Sequence, residues 1–165
     1  MYVLVRHAHA GDKQSWEGDD ARRPLSGRGR QQAEGLVVSL RGTRVDRLVS
    51  SPYLRCVQSL EPLAARRSLP VEVSDLLEPH ADPGPLAAWL VDRRLDGAVV
   101  CTHGETLTAL FDRWADDGAL VKLGHGATRA STQKGAAWVV TTDEKHTEAR
   151  YLRPLHIGPP ALAVG

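Results

Sequence analysis

The sequence predicts an α/β fold, a three-layer sandwich in which helices flank a mainly parallel central sheet. Short apolar strands alternate with amphipathic helices along most of the chain. Residues 97–102 form an apolar run, which is typical of a central strand that is covered on both faces. The length of 165 residues favours one domain with a substantial core.

The composition excludes several classes of function. The net charge is +1, so neither a nucleic-acid polymer nor a membrane surface is expected as a partner. Cys56 and Cys101 are too few for a disulfide framework and indicate buried thiols in a reducing compartment. No apolar run approaches the roughly 20 residues of a membrane span, and the chain starts in a strand without a signal-peptide pattern. We therefore expect a cytoplasmic protein.

The first half of the chain contains three predicted strands, at residues 2–5, 47–50 and 69–73. Between the first two, residues 10–24 are polar and predict a long loop, which at this length is usually functional. A helix follows, capped by Ser26 and ended by Gly42. Its apolar stripe has the spacing i, i+3, i+4 and i+7: Ala33, Leu36, Val37 and Leu40. For the second helix, Ser51 is the expected N-cap and Pro52 the first residue.

In the second half, residues 76–82 are expected to form a loop, because Pro79 prevents a helix there. Asp82 caps the next predicted helix. The strand 97–102 leads into a helix from about residue 105 to 116, and strands at 136–141 and 147–153 add an antiparallel pair. We expect a single domain over residues 1–155 and a C-terminal tail over residues 156–165.

Cations and imidazoles follow three of the predicted strands. Arg6 and His7 end the first strand, Arg55 lies in the helix after the second, and His103 with Gly104 follows the central strand. Because ligands bind at the carboxyl ends of strands in an open α/β sheet, we expect these groups to share one edge. Helix N-termini there add free N–H groups. The expected pocket is nearly free of carboxylates and suits a phosphate, which guanidinium binds bidentately.

The segments around these residues resemble the motifs of the histidine phosphatase superfamily, the phosphoglycerate mutase-like proteins. They are Val5-Arg6-His7-Ala8, Ser50-Ser51-Pro52-Tyr53-Leu54-Arg55 with Gln58, and Thr102-His103-Gly104-Glu105-Thr106. The short chain and the Arg-His-Ala variant resemble the compact branch that contains the SixA phosphohistidine phosphatases. Residues 10–25 are also similar to the phosphatase domain that is fused to some Nudix nucleotide hydrolases.

The resemblance implies a phosphoglycerate mutase-like fold and a metal-independent phosphatase that needs no cofactor. It assigns His7 as the nucleophile that forms a phosphohistidine, and Arg6, Arg55 and His103 as ligands of the phosphoryl oxygens. A Glu or Asp in the loop after the third strand would donate a proton. We assign Glu78, and His80 and Asp82 are its rivals in the same loop. Gly104 and Lys13 are further candidates for substrate binding.

Other functions remain open at this stage. The substrate is a phosphomonoester or a phosphohistidine protein, or else a nucleotide di- or triphosphate, for which the loop from Lys13 to Trp16 is the candidate wall for a base. Alternatively, a metal that hydrolyses amides or esters could be bound by His7 and His9 together with His80, Asp82 and His103. A phospho-ligand sensor without turnover is a third class. A cysteine phosphatase is excluded, because neither cysteine is followed by an Arg six residues on.

Overall fold

The computed structural model describes residues 1–123, 132–142 and 147–158. The described strands are β1 (Tyr2–Arg6), β2 (Arg47–Ser50), β3 (Val71–Val73), β4 (Ala98–Thr102), β5 (Leu120–Leu123), β6 (Ala137–Thr142) and β7 (Thr147–Leu152). The described α-helices are α1 (Gly27–Ser39), α2 (Leu54–Arg67), α3 (Pro83–Leu90) and α4 (Gly104–Asp116). Short 3₁₀ turns cover Asp20–Arg22, Asp75–Leu77 and Arg93–Leu95.

The seven strands form one sheet in the order β3-β2-β4-β1-β6-β7-β5. The pairs β1–β4, β2–β4, β2–β3 and β5–β7 are parallel, whereas β6 runs antiparallel to both β1 and β7. The mainly parallel sheet is therefore confirmed. β4 lies in the interior of the sheet, between β2 and β1, and all of its residues are buried, as the apolar run predicts.

Alternation along the strands divides the core between the two faces of the sheet. Val3 and Val5 of β1 pack with residues of α1 and α2, such as Leu36 and Leu60. On the other face, Leu4 belongs to a second cluster with Leu90 of α3, Phe111 of α4 and Trp138 of the neighbouring strand β6. Since successive side chains of a strand point to opposite faces, the strands β1, β2, β4 and β6 each contribute to both cores, and the three-layer sandwich is confirmed.

The structure adds elements that the sequence patterns do not predict. β5 pairs in parallel with β7 at the edge of the sheet. The predicted loop 10–24 contains the 3₁₀ turn Asp20–Arg22. Ile157 donates a backbone hydrogen bond to Gln31 of α1, so the chain packs on α1 beyond residue 155. The domain boundary at residue 155 stays a prediction, and residues 159–165 of the tail lie outside the described residues.

Candidate active site

The carboxyl ends of β1 and β4 and the start of α2 meet at one edge of the sheet. β1 and β4 are parallel neighbours, and Arg6 is in register with Thr102, so His7 and His103 emerge side by side. Their ring centroids are 5.2 Å apart in an edge-to-face arrangement. Arg55 lies beside His103, with its Nη2 3.5 Å from His103 Nδ1. The expected convergence of the two imidazoles with the guanidinium of Arg55 is present in the fold.

A cavity of about 400 Å³ opens at this edge. The described residues that line it come from five separate segments of the chain and are Arg6, His7, Gly11, Lys13, Asp20, Arg23, Tyr53, Arg55, Pro79, His80, Glu105 and Lys134. Among the candidates from sequence, the lining therefore contains Arg6, His7, Lys13 and Arg55. His103 lies directly behind it, fully buried.

His7 is held as a neutral imidazole with a defined tautomer. Burial is the main cause that lowers its pKa from 6.5 to about 3, and the charges of Arg55, Arg6 and Lys134 lower it further. Its Nδ1 lies 2.8 Å from the carbonyl oxygen of Ala8. Because a carbonyl can only accept, Nδ1 carries the proton and donates it there. Nε2 therefore keeps its lone pair, which is the form that a nucleophilic imidazole needs.

His103 is also neutral, and Ser51 orients it. Burial, followed by the charges of His7 and Arg55, lowers the pKa of His103 to about 3. The Oγ of Ser51 lies 2.9 Å from His103 Nε2. Since Arg55 only donates hydrogen bonds, Nδ1 on its side is the acceptor, and Nε2 donates to Ser51.

The prediction that Ser51 caps the second helix is wrong. α2 begins at Leu54 and its N-cap is Tyr53, which makes no side-chain capping bond. The hydroxyl of Ser51 lies at the imidazole of His103, at 2.9 Å, and also accepts a longer bond, of 3.4 Å, from the backbone N–H of Tyr53 before the helix begins. The shorter contact of this fully buried hydroxyl is thus a tertiary one, which the local sequence does not predict.

Arg6 lies against the start of α4, where Gly104 leaves room for it. A Cβ on Gly104 would come within 2.7 Å of Arg6 Cζ. Arg6 donates through Nη1 to the carbonyl of Thr132 at 2.5 Å. Its buried Nε has no hydrogen-bond partner among the described residues, and the same is true of Arg55 Nε. An unpaired buried donor costs about 1–3 kcal/mol. An anion that accepts from these two N–H groups would remove that cost, so both groups favour anion binding.

The expectation of a pocket nearly free of carboxylates is wrong. Asp20 lines the cavity and forms salt bridges with Arg55, at 3.1 Å, and with Arg23, at 2.8 Å. The main-chain oxygen of Asp20 also accepts from Arg55 Nη1 at 2.8 Å. Glu105, in the first turn of α4, is a second carboxylate of the lining. Asp20 is brought to the cavity by the 3₁₀ turn inside the long loop. No local sequence pattern predicts that position.

The comparisons with known proteins place this geometry in a family. Residues 2–79 match the sequence model of the histidine phosphatase superfamily (branch 1). An 8-oxo-(d)GTP phosphatase of Mycolicibacterium smegmatis is 32% identical over 158 residues, which are 92% of this chain and 48% of that protein. The sequence match, over just under half of the chain, and this relative together support a place in the histidine phosphatase superfamily. It spans about half the length of the mycobacterial relative.

Solved structures of this superfamily share the fold. The protein histidine phosphatase SixA complexed with tungstate is 22% identical, with a TM-score of 0.67 over 94% of this chain and 96% of that chain. The alpha-ribazole phosphatase of Shigella flexneri is 18% identical, with a TM-score of 0.58 over 96% and 98% of the two chains. At these identities the likeness shows the fold, and the phosphoglycerate mutase-like architecture is confirmed.

The candidate proton donors occupy different places around this cavity. Glu78 is half-buried but is absent from the described lining. Its carbonyl accepts from Thr106 at 2.8 Å, and its charge raises the pKa of Tyr53 on the cavity wall, where burial is the larger cause. His80 lines the cavity. Asp82 caps α3 by accepting from the backbone of Gly84, as the sequence predicts.

His9 does not join His7 at the cavity. Its Nδ1 lies 2.7 Å from the hydroxyl of Ser26, the residue that caps α1. Within residues 1–123, 132–142 and 147–158, no group of three or more His, Cys, Asp or Glu side chains is arranged to hold a metal ion. The metal-dependent alternative therefore has no donor set in that part of the chain. No helix there is long and apolar enough to cross a membrane.

Proposed function

We propose that this protein is a metal-independent phosphatase that hydrolyses a phosphomonoester or a phosphohistidine through a covalent phosphohistidine on His7. The pairing of His7 with His103 at 5.2 Å, between the guanidiniums of Arg6 and Arg55, is the observation that carries the proposal. The unpartnered Nε–H groups of the two arginines support it, because phosphoryl oxygens would pair them.

In the first step, the lone pair of His7 Nε2 attacks phosphorus in line with the leaving atom. The N–P bond forms while the bond from phosphorus to the leaving atom breaks, and the leaving atom takes the electron pair. Arg6, Arg55 and the N-terminus of α4 stabilise the charge on the equatorial oxygens. In the second step, the oxygen of water attacks the phosphohistidine and the N–P electron pair returns to Nε2. One proton of the water stays on the phosphate, which leaves, and the other returns to the group that protonated the leaving atom.

The environment of His103 suits a group that changes its protonation when the substrate binds. Its Nδ1 lies on the side of Arg55 and holds a lone pair in the neutral imidazole. A phosphoryl dianion would favour the imidazolium, whose Nδ1–H would then donate to a phosphoryl oxygen. Ser51 keeps the ring in place through Nε2 in both states.

The leaving group takes its proton from the loop after β3, where we retain Glu78 as the donor. Hydrogen bonds from Thr102 and Thr106 to the carbonyls of Leu77 and Glu78 hold this loop on β4 and α4. Two other candidate donors line the cavity. His80 is already a rival from the sequence, and Glu105 is added by the structure. A phosphohistidine substrate would depend little on any of them, because its leaving imidazole needs little help.

The test is steady-state turnover of p-nitrophenyl phosphate together with ³²P labelling. We expect His7→Ala and Arg55→Ala each to lower the rate at least about 10²-fold. Only proteins that retain His7 should yield an alkali-stable, acid-labile phosphohistidine. The matched control is His9→Ala, which removes an imidazole two residues away whose ring contacts Ser26. Wild-type turnover in His7→Ala, or loss of activity with a chelator and recovery with Zn²⁺, would overturn the proposal.

A second candidate is a nucleotide phosphatase of the same fold. A groove of about 790 Å³ lies beside the catalytic cavity and is lined by Trp16, Pro52, Leu54, Val57 and residues 17–19, 21 and 22. Trp16 is 37% exposed and donates through Nε1 to the carbonyl of Asp19, which offers an aromatic wall for a base. The mycobacterial relative supports this candidate. Faster turnover of nucleotides than of phosphohistidine protein would select it.

A further inference from the structure

The catalytic cavity holds more positive charge than one phosphoryl group requires. Five cationic side chains line it, namely Arg6, Lys13, Arg23, Arg55 and Lys134, against the two carboxylates of Asp20 and Glu105. The excess is three positive charges, whereas a phosphoryl group carries about −1.5 to −2 at neutral pH. Asp20 pairs with both Arg55 and Arg23 and so offsets one of their two charges, and Lys13 and Lys134 add two more positive charges to the lining.

Lys13 and Lys134 have no ion pair with a carboxylate in the described part of the chain. Burial lowers the pKa of Lys134, and the charges of Arg6, Arg23 and Arg55 lower it further. Lys134 thus lies among like charges, and neither carboxylate of the lining forms an ion pair with it within the described residues. A group of cations in this state is stabilised by an anionic ligand.

The backbone fixes Lys134 at the cavity. The neighbouring Gly135 donates its N–H to the carbonyls of both Arg6 and His7, at 3.1 Å each. On the other side, Thr132 accepts from Arg6 through its carbonyl and from Trp138 through its hydroxyl. The segment 132–135 is therefore tied to the catalytic residues themselves.

The cavity has room for more than one phosphoryl group. Its volume of about 400 Å³ corresponds to about 13 water molecules at about 30 Å³ each, whereas a phosphoryl group with its bridging atom has five non-hydrogen atoms. Arg6 and Arg55 adjoin the histidines, and Lys13 and Lys134 complete the lining from the loop 10–24 and from the segment before β6. Two groups of cations can thus hold two linked anions.

We propose that Lys13 and Lys134 form a second anion subsite, which binds a phosphate linked to the transferred phosphoryl group. The preferred substrates are then phosphoanhydrides, the chemistry of a nucleoside diphosphate, rather than phosphomonoesters or phosphohistidine. This inference rests on the part of the proposed function that makes His7 the nucleophile of a phosphatase. His7 attacks the terminal phosphorus, the bridging P–O bond breaks, and the bridging oxygen keeps the electron pair as part of the leaving phosphate. The two ammonium groups offset that charge.

The positions of the carboxyl groups agree with such a leaving group. A phosphate leaves readily without a proton, so the reaction does not need an acid at the bridging oxygen. Glu78 is absent from the described lining. Asp20 lines it, but its pKa is lowered: burial raises it, and the hydrogen bond from Arg23 with the charge of Arg55 outweighs that effect. Asp20 is thus ionised and cannot act as the acid.

Calorimetric titration with two inert probes, inorganic phosphate and methylenediphosphonate, tests the subsite without turnover. We expect the diphosphonate to bind at least about tenfold more tightly than phosphate to the wild type. Lys13→Gln and Lys134→Gln should each reduce that ratio about tenfold, the effect of one hydrogen bond to a charged group. Lys134→Arg should restore most of it.

Arg66→Gln is the matched control, because it removes one charge from the same α2 that carries Arg55 but about 16 Å away, at 1.5 Å per residue. An unchanged ratio is expected there. Equal affinities of the two probes for the wild type, or equal ratios in the lysine variants and in Arg66→Gln, would overturn the subsite. If p-nitrophenyl phosphate is still hydrolysed through labelled His7 in that case, the proposed phosphatase function stands alone.

Discussion

Replacing Gly104 by alanine should lower catalytic efficiency while leaving the fold stable. Gly104 is the first residue of α4 and lies against the guanidinium of Arg6. An added Cβ would be 2.7 Å from Arg6 Cζ and 2.8 Å from Nε. Because carbon atoms in contact are about 3.5–4.0 Å apart, the guanidinium has to move by about 1 Å.

This movement determines the size of both effects. The obstructing atoms belong to the end of a flexible side chain, and alanine is the better helix former by about 1 kcal/mol. The free energy of unfolding should therefore change by less than about 1 kcal/mol. A displacement of about 1 Å in a catalytic group costs about 10²-fold in rate. We expect kcat/KM to fall by that factor, which equals about 2.7 kcal/mol of transition-state stabilisation.

The assay combines kcat/KM for p-nitrophenyl phosphate with urea denaturation. Gly27→Ala is the matched control, since Gly27 is the first residue of α1 and a Cβ there has no neighbour within 4 Å. It should keep wild-type activity. Wild-type kcat/KM in Gly104→Ala would refute the role that we give to the contact, and so would a loss of stability as large as the loss of activity.

Further predictions concern the two imidazoles and the proton donor. Burial lowers the pKa of His7 and of His103 to about 3, so below about pH 6.5 the unfolded chain binds protons that the folded chain refuses, and the free energy of unfolding falls with decreasing pH. Urea titrations of His7→Asn should show a shallower fall than the wild type, and identical slopes would contradict this reasoning. Ser51→Ala leaves the Nε2–H of His103 with only the weak acceptor Cys56 Sγ, 3.5 Å away, and should reduce the free energy of unfolding by about 1 kcal/mol, measured by urea denaturation; no change would remove the proposed orienting bond. Glu78→Gln should slow hydrolysis of alkyl phosphates more than that of phosphohistidine, measured in parallel with Glu105→Gln, and equal losses on both substrates would argue against Glu78 as donor.

The predicted elements that agree with the structure have strong local signals. The apolar strands β1, β2 and β4 and the capped helices α1 and α3 begin within a residue or two of their predicted positions. In each case hydrophobic period, cap and turn chemistry favour the same structure. β5 lacks such a signal, because its place in the sheet comes from pairing with β7.

Ser51 shows how a local signal fails. Ser followed by Pro is a good start for a helix, and the sequence alone contains nothing that competes for the hydroxyl. In the fold, β2 and β4 are parallel neighbours with Ser50 in register with Cys101, so Ser51 comes beside His103. A buried imidazole N–H requires a partner, and that need outweighs a cap.

By itself, the sequence determined the layers of the fold and the meeting of His7, Arg55 and His103, because parallel strands place their carboxyl ends at one edge. Only the tertiary structure decided which charges surround them. Asp20 reaches Arg55 through a turn of the long loop, and Lys134 reaches the cavity because β6 pairs antiparallel with β1. Such contacts join residues far apart in the chain, and their partners are chosen by packing and long-range pairing, which no local pattern of residues encodes.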